Sequence, residues 1–197
     1  MNTKKIILVA VLSMYVSALM AFPGWIGNQT VVQASNSQNV TFTVWMNQDY
    51  YGLHCNVGLS VNGGSFTEYP MSYSHNDSGN SVWTLTINNL ASTSNYLCYF
   101  HGYQDVSNIY LNNGGSNYSF IVNPTTQSAG NWNDDATWLD GVVPASSSAH
   151  CIIANNITLN ADKTVGSVTI NSGNTLTASD GTTRTLTISA GGRSRGY

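Results

Sequence analysis

The chain has 197 residues, of which 42% are hydrophobic and only 8% charged, with a formal net charge of −3. So few charges of mostly acidic sign exclude a nucleic-acid-binding surface, which needs a basic patch. The abundance of Thr, Val, Ile, Tyr and Trp suits pleated strands rather than disorder, and the length allows one domain and part of another.

Lys4 and Lys5 precede an apolar run, Ile6 to Met20, with the small residues Ala18 and Ala21 near its end. This pattern predicts a secretory signal peptide over residues 1–21, and the run is short for a membrane span. The expected location is secreted or on the extracellular surface, with no membrane association after cleavage. Losing two of the six basic residues with the leader makes the mature chain still more acidic.

From about Thr30 to Val122 short apolar runs alternate with polar residues and are separated by turn residues, which predicts strands and almost no helix. In residues 40–46, Val40, Phe42, Val44 and Met46 share one face and Thr41, Thr43 and Trp45 the other. In the next run Leu53, Cys55, Val57, Leu59 and Val61 point inward, leaving His54 and Asn56 outward. Around residue 98, Cys98 and Phe100 point inward and Leu97, Tyr99 and His101 outward. Outward rings with His and Asn make a candidate binding face; the same rings could equally pack under loops. Cys55 and Cys98 both point inward, and an oxidising compartment lets disulfides persist. A Cys55–Cys98 bridge is expected, with two buried free thiols as the alternative. Cys151 is left unpaired.

The stretch Tyr110-Leu111-Asn112-Asn113-Gly114-Gly115-Ser116-Asn117-Tyr118 sets amides and glycines between aromatic rings. An aromatic face can lie against the C–H face of a sugar ring, and Asn offers both a donor and an acceptor to hydroxyls. The same residues also make an ordinary hairpin turn. Together with residues 40–44 leading to Tyr50-Tyr51, and with the run from Val61 to Pro70, this stretch resembles a family 25 carbohydrate-binding module. That family is a small β-sandwich that binds starch and related α-glucans. Tyr110 stands where the family has its stacking Trp, and Leu111 where it has Asp. The resemblance implies a carbohydrate site of Tyr50, Tyr51, His54, Tyr110, Asn112 and Asn113, with Trp45 as an additional platform.

Residues 123–129, rich in Pro, Gly and small polar residues, read as a linker. After it, the run Gly130 to Trp138 with Gly141-Val142-Val143-Pro144 looks like the opening of secreted bacterial β-solenoids, in which the two Trp residues cover the end of the first coil. Short strands near Ile157, Val165, Leu176 and Leu186 recur between turns rich in Asn, Asp and Gly, as a parallel coil requires. Too few coils follow to bury their faces, so residues 130–197 are expected to be an incomplete solenoid of a longer surface protein. Asp134, Asp135 and Asp140 lack the spacing of a calcium loop, and no metal or other cofactor is expected.

The expected fold is therefore all-β: an antiparallel immunoglobulin-like β-sandwich over 30–122, then the N-terminal part of a right-handed parallel β-solenoid. No HExxH, GxSxG, phosphate-binding loop or zinc-spaced Cys/His set is present. The carboxylates of the first module, Asp49, Glu68, Asp77 and Asp105, read as turn residues rather than as a facing pair for glycoside hydrolysis. The expected function is non-catalytic binding of α-glucan polysaccharide. A catalytic domain further along a longer chain is one extension of this reading. The alternative is a structural or adhesive surface protein in which the sandwich is a spacer.

Overall fold

A computed structural model describes residues 23–47, 52–179 and 182–189; the predicted signal peptide, Tyr50 and Tyr51 lie outside them. Nine strands make the first part: β1 (Ile26–Gln33), β2 (Val40–Met46), β3 (His54–Val61), β4 (Thr67–Pro70), β5 (Ser72–Asp77), β6 (Asn80–Ile87), β7 (Asn95–Gln104), β8 (Ser107–Leu111) and β9 (Tyr118–Ile121). They form two antiparallel sheets, one ordered β1-β2-β6-β5 and the other β4-β3-β7-β8, with β9 also on β7. The sheets pack face to face around one core that joins Phe42, Val44, Met46 and Trp83 of the first to Val57, Cys98 and Phe100 of the second. This is a β-sandwich, and it starts at Ile26, ahead of the expected Thr30.

Strict alternation explains the faces. In β2 every second residue is buried, from Val40 through Met46, because successive side chains of a strand point to opposite faces. In β7, Tyr96, Cys98, Phe100 and Gly102 are buried and the residues between them half-buried. Val61 departs from its expected inward place and is 42% exposed. It ends β3 opposite Tyr96, beyond the last rung that β4 covers at Leu59.

The expected disulfide is absent: Cys55, Cys98 and Cys151 are all buried free thiols. Cys55 stands opposite Gly102 and Cys98 opposite Leu59, so the two lie four rungs apart on one ladder. At ~3.3 Å per residue that is ~13 Å, against a Cα separation below ~7 Å for a bridge. Alternation fixed their face and said nothing of their position along it. Cys55 Sγ instead lies 3.7 Å from Met71 Sδ. Burial pushes all three thiols up to about 12, which keeps them protonated and unreactive at neutral pH. Labelling under denaturing, non-reducing conditions is expected to find three reactive thiols per chain; a single one would contradict this packing.

The stretch 110–118 is not a hairpin either. β8 and β9 both pair with β7 and run the same way along it, Leu111 opposite Phe100 and Tyr118 opposite Cys98. Residues 112–117 are an excursion out of one interrupted edge strand. Asn113 and Asn117, with φ of 51° and 58°, and the glycines at 114 and 115 supply its left-handed turns.

Within residues 123–129, read from the sequence as a linker, the chain is held by hydrogen bonds. Thr125 and Thr126 are buried, and Gln33 of β1 donates to the Asn123 carbonyl at 2.9 Å and accepts from its amide at 2.7 Å. Asp140 Oδ2 reaches back to the sandwich, accepting from Gln38, from the Ser92 amide and from the Ser92 hydroxyl at 2.6 Å.

Beyond this junction the strands are short and parallel: β10 (Gly130–Asn131), β11 (His150–Ile153), β12 (Ile157–Leu159), β13 (Lys163–Val165), β14 (Ser167–Ile170), β15 (Leu176–Ala178) and β16 (Leu186–Ile188). Strands β11, β12 and β13 pair with β14, β15 and β16 respectively. Ile153, Ile157, Leu159 and Val165 form a second core with Trp132 and Trp138, both fully buried. The two indoles meet edge to face at 5.1 Å, and Trp138 Nε1 donates to the Trp132 carbonyl at 2.8 Å. Ile170 and Ile188, stacked on buried Ile153 and Val165, are about half exposed.

Candidate functional site

The outer face of the second sheet gathers rings because β7 places Tyr99, His101 and Tyr103 on one side, each second residue facing out. Cross-strand register then sets His54 beside Tyr103 and Tyr110 beside His101. The result is an unbroken line of ring contacts. His54 stacks on Tyr103 at 5.1 Å, Tyr103 meets His101 at 5.0 Å, and His101 lies nearly parallel to Tyr110 at 4.3 Å. Tyr110 meets Tyr99 at 6.0 Å and Tyr99 meets Phe66 at 5.0 Å. From Tyr99 to Tyr103 alone the line spans ~13 Å of strand. Tyr110 and Phe66 are 52% and 38% exposed.

One glycine makes the surface flat. Gly58 pairs with Tyr99 on one side and with Glu68 on the other. A Cβ at Gly58 would sit 2.3 Å from the Tyr99 ring, so the phenol lies down across the strand and reaches the next one. There its hydroxyl donates to Glu68 Oε1 at 2.8 Å.

Glu68 is the polar centre. Asn56 Nδ2 donates to its Oε2 at 2.8 Å, and His101 Nδ1 lies 3.1 and 3.3 Å from its two oxygens. The other ring nitrogen of His101 is 2.8 Å from Asn108 Oδ1. Burial alone would raise the Glu68 pKa. The hydrogen bonds from Asn56, Tyr99 and His101 outweigh it and hold the carboxyl below its ordinary value. Burial, with the hydrogen bond to Glu68, pushes Tyr99 up to about 12, so the phenol stays a donor. A depressed carboxylate contributes stability that is fully present above the unfolded value of about 4.3 and is lost as pH falls through the folded one. The melting temperature of Glu68→Gln is therefore expected to lie below wild type at neutral pH, with the gap closing in acid. A gap that stays constant through the acid range would contradict the network.

Of the residues expected at the site, His54 and Tyr110 belong to this line. Asn112 and Asn113 hold their own loop: Asn112 Oδ1 accepts from the Gly115 amide at 3.1 Å, and Asn113 Nδ2 donates to the Asn117 carbonyl at 3.3 Å. Trp45 does not share the site. It faces out from β2 in the first sheet, on the opposite side of the sandwich. Glu68, expected in a turn, sits in strand β4. Sequence reasoning caught the outward phase of Tyr99 and His101 but missed Glu68, Phe66 and Tyr103. The signal for Tyr103 was there, two residues beyond His101. Among the described residues no group of three or more His, Cys, Asp or Glu could hold a metal ion. Asp134 caps a short turn by accepting from the Ala136 amide, and no membrane-spanning helix is present among the same residues.

No family model and no curated protein matches the chain. Solved structures with a similar arrangement include a cycloalternan-forming enzyme from Listeria monocytogenes in complex with a pentasaccharide substrate. It is 12% identical with a TM-score of 0.42, over 49% of this chain and 9% of that one. The chain thus spans only a small part of that enzyme. The carbohydrate binding module of the muscle glycogen-targeting subunit of Protein Phosphatase-1 is 15% identical, TM-score 0.40, over 55% of this chain and 81% of that one. A bromine derivative of BhCBM56 is 18% identical, TM-score 0.30, over 47% and 90%.

Proposed function

We propose that the protein is a non-catalytic, secreted glycan-binding protein that holds α-glucan chains along the outer face of its second sheet. The observation that carries this reading is the unbroken ring line from His54 to Phe66 with Glu68, Asn56 and Asn108 beside it. Rings supply apolar faces for sugar C–H groups, and carboxylate and amide atoms supply partners for hydroxyls. The local sequence around Tyr110 resembles family 25 carbohydrate-binding modules, and this supports starch-like chains as the ligand. The parallel strands after Gly130 fit the opening coils of a β-solenoid, and the junction at Gln33 and Asp140 would present the binding face on a stiff support.

Stacking should dominate the affinity, because each hydroxyl exchanges water for a protein partner and nets only ~1 kcal/mol. A shallow open face of this kind is expected to bind maltoheptaose with a Kd between about 10 μM and 1 mM. Tyr110→Ala removes a ring of the line that is 52% exposed and should cost ~2 kcal/mol, about thirtyfold in Kd. Calorimetric titration of the two proteins tests this. Saturable binding indifferent to Tyr110→Ala would move the site elsewhere, and no binding at all would favour the sandwich as a rigid spacer.

A further inference from the structure

The outer face of the first sheet carries its own aromatic pair. Trp25 lies just ahead of β1, fixed by a two-way clamp: its amide donates to Asn47 Oδ1 at 3.0 Å, and the Asn47 amide donates to its carbonyl at 3.4 Å. Its indole covers Gly27, where a Cβ would fall 2.7 Å from the ring. Gly27 is the cross-strand partner of Trp45. Facing positions on paired strands are ~5 Å apart, so the two indoles occupy neighbouring places on one surface. Trp45 faces out because Val44 and Met46 on either side of it are fully buried.

What extends from this pair along the central strands is rich in hydroxyls. Thr30, Thr43, Thr84 and Ser72 form one row across all four strands of the sheet. Thr41 and Thr86 form part of the next, with their hydroxyls 2.9 Å apart. The outward-phase residues of the two central strands, Thr41, Thr43, Trp45, Val82, Thr84 and Thr86, include no charge, with Val82 covered at 3% exposure; on the edge strand β5, His75 continues the Trp45–Val82 row and Asp77 stands opposite Asn80. The central part of the face thus carries no charge of its own, its ionisable neighbours His75 and Asp77 standing on the edge strand. It matches a neutral ligand with alternating apolar C–H surface and hydroxyl edges.

The geometry points to a second carbohydrate-contact surface on the first sheet, built on Trp25 and Trp45 with the threonine rows, for a neutral polysaccharide chain. It lies on the opposite side of the sandwich from the Tyr110 line and does not depend on it. Two such surfaces would let one molecule bridge two chains, or gain avidity on a dense glycan with no new contact within either site.

The two faces can be told apart by fluorescence. The Tyr110 line contains no tryptophan, and Trp83, Trp132 and Trp138 are buried. Ligand contact at an accessible indole therefore reports Trp25 and Trp45. The experiment titrates the full chain, Tyr110→Ala and Trp25→Ala/Trp45→Ala with maltoheptaose and with cellohexaose, recording tryptophan emission and calorimetric heat. The expected result is a saturable emission shift with at least one sugar, retained in Tyr110→Ala and lost in the double variant. Heat that depends on Tyr110 without any emission shift would overturn the second surface and leave the first. An emission shift without Tyr110-dependent heat would support the second surface and remove the first, and silence in both channels with both sugars would overturn both.

Discussion

Trp138→Ala is expected to destabilise the protein by ~3–5 kcal/mol, the usual cost of emptying a fully buried large aromatic site. Trp138 has no exposed surface, meets Trp132 edge to face and donates its indole N–H to the Trp132 carbonyl. Truncation leaves a cavity at the first turn of the parallel strands and an unpaired buried carbonyl. Replacement by Phe refills part of the cavity but still strands the buried carbonyl, at ~1–3 kcal/mol, and should fall between wild type and the alanine variant. For a chain of this size the alanine variant should melt roughly 6–20 °C below wild type, as followed by circular dichroism. A shift of only a few degrees would mean that the indole is not the plug of this core.

Gly58→Ala should act in the opposite manner, sparing the fold and spoiling the face. The added methyl would stand 2.3 Å from the Tyr99 ring, so the ring must lift. The atoms it meets are the far end of a half-buried side chain on the outer face, and that end can swing away into solvent. Alanine also removes some of the backbone freedom that glycine loses on folding. Melting temperature should therefore fall by only a few degrees, the cost of one lost hydrogen bond at ~1 kcal/mol. Lifting Tyr99 breaks its hydrogen bond to Glu68 and its contacts with Phe66 and Tyr110, so glycan affinity should fall at least tenfold, about 1.4 kcal/mol. Unaltered affinity in a folded Gly58→Ala protein would show that a flat Tyr99 is not needed.

The faces of β2 and β7 were legible because strands buried on one side alternate with period two, and Val40 through Met46 do so without a break; in β3 the inward phase holds only as far as Leu59. What alternation cannot give is register. Cys55 and Cys98 share a face and look bridgeable until the ladder places them opposite Gly102 and Leu59. Glu68 reads as a turn residue because the loop between β3 and β4 is too long to fix which rung β4 occupies; only pairing with Gly58 brings its carboxylate under Tyr99. The loop around Asn113-Gly114 carries a strong turn signal, and a turn it is. Its flanks, however, both join β7 instead of each other, a long-range choice that no local signal encodes. Trp25 was passed over because it precedes the first clear alternation; its place depends on Asn47, far along the chain.

In the proposed binding mode, sugar rings lie on the line of Tyr99, His101 and Tyr110. Intermolecular nuclear Overhauser effects between maltoheptaose and the protein, recorded at ligand excess, test it most directly. Contacts are expected from sugar C–H protons to the ring protons of Tyr110 and His101, weakening in Gly58→Ala. Binding without any contact to these rings, or contacts confined to the parallel strands beyond Gly130, would contradict it.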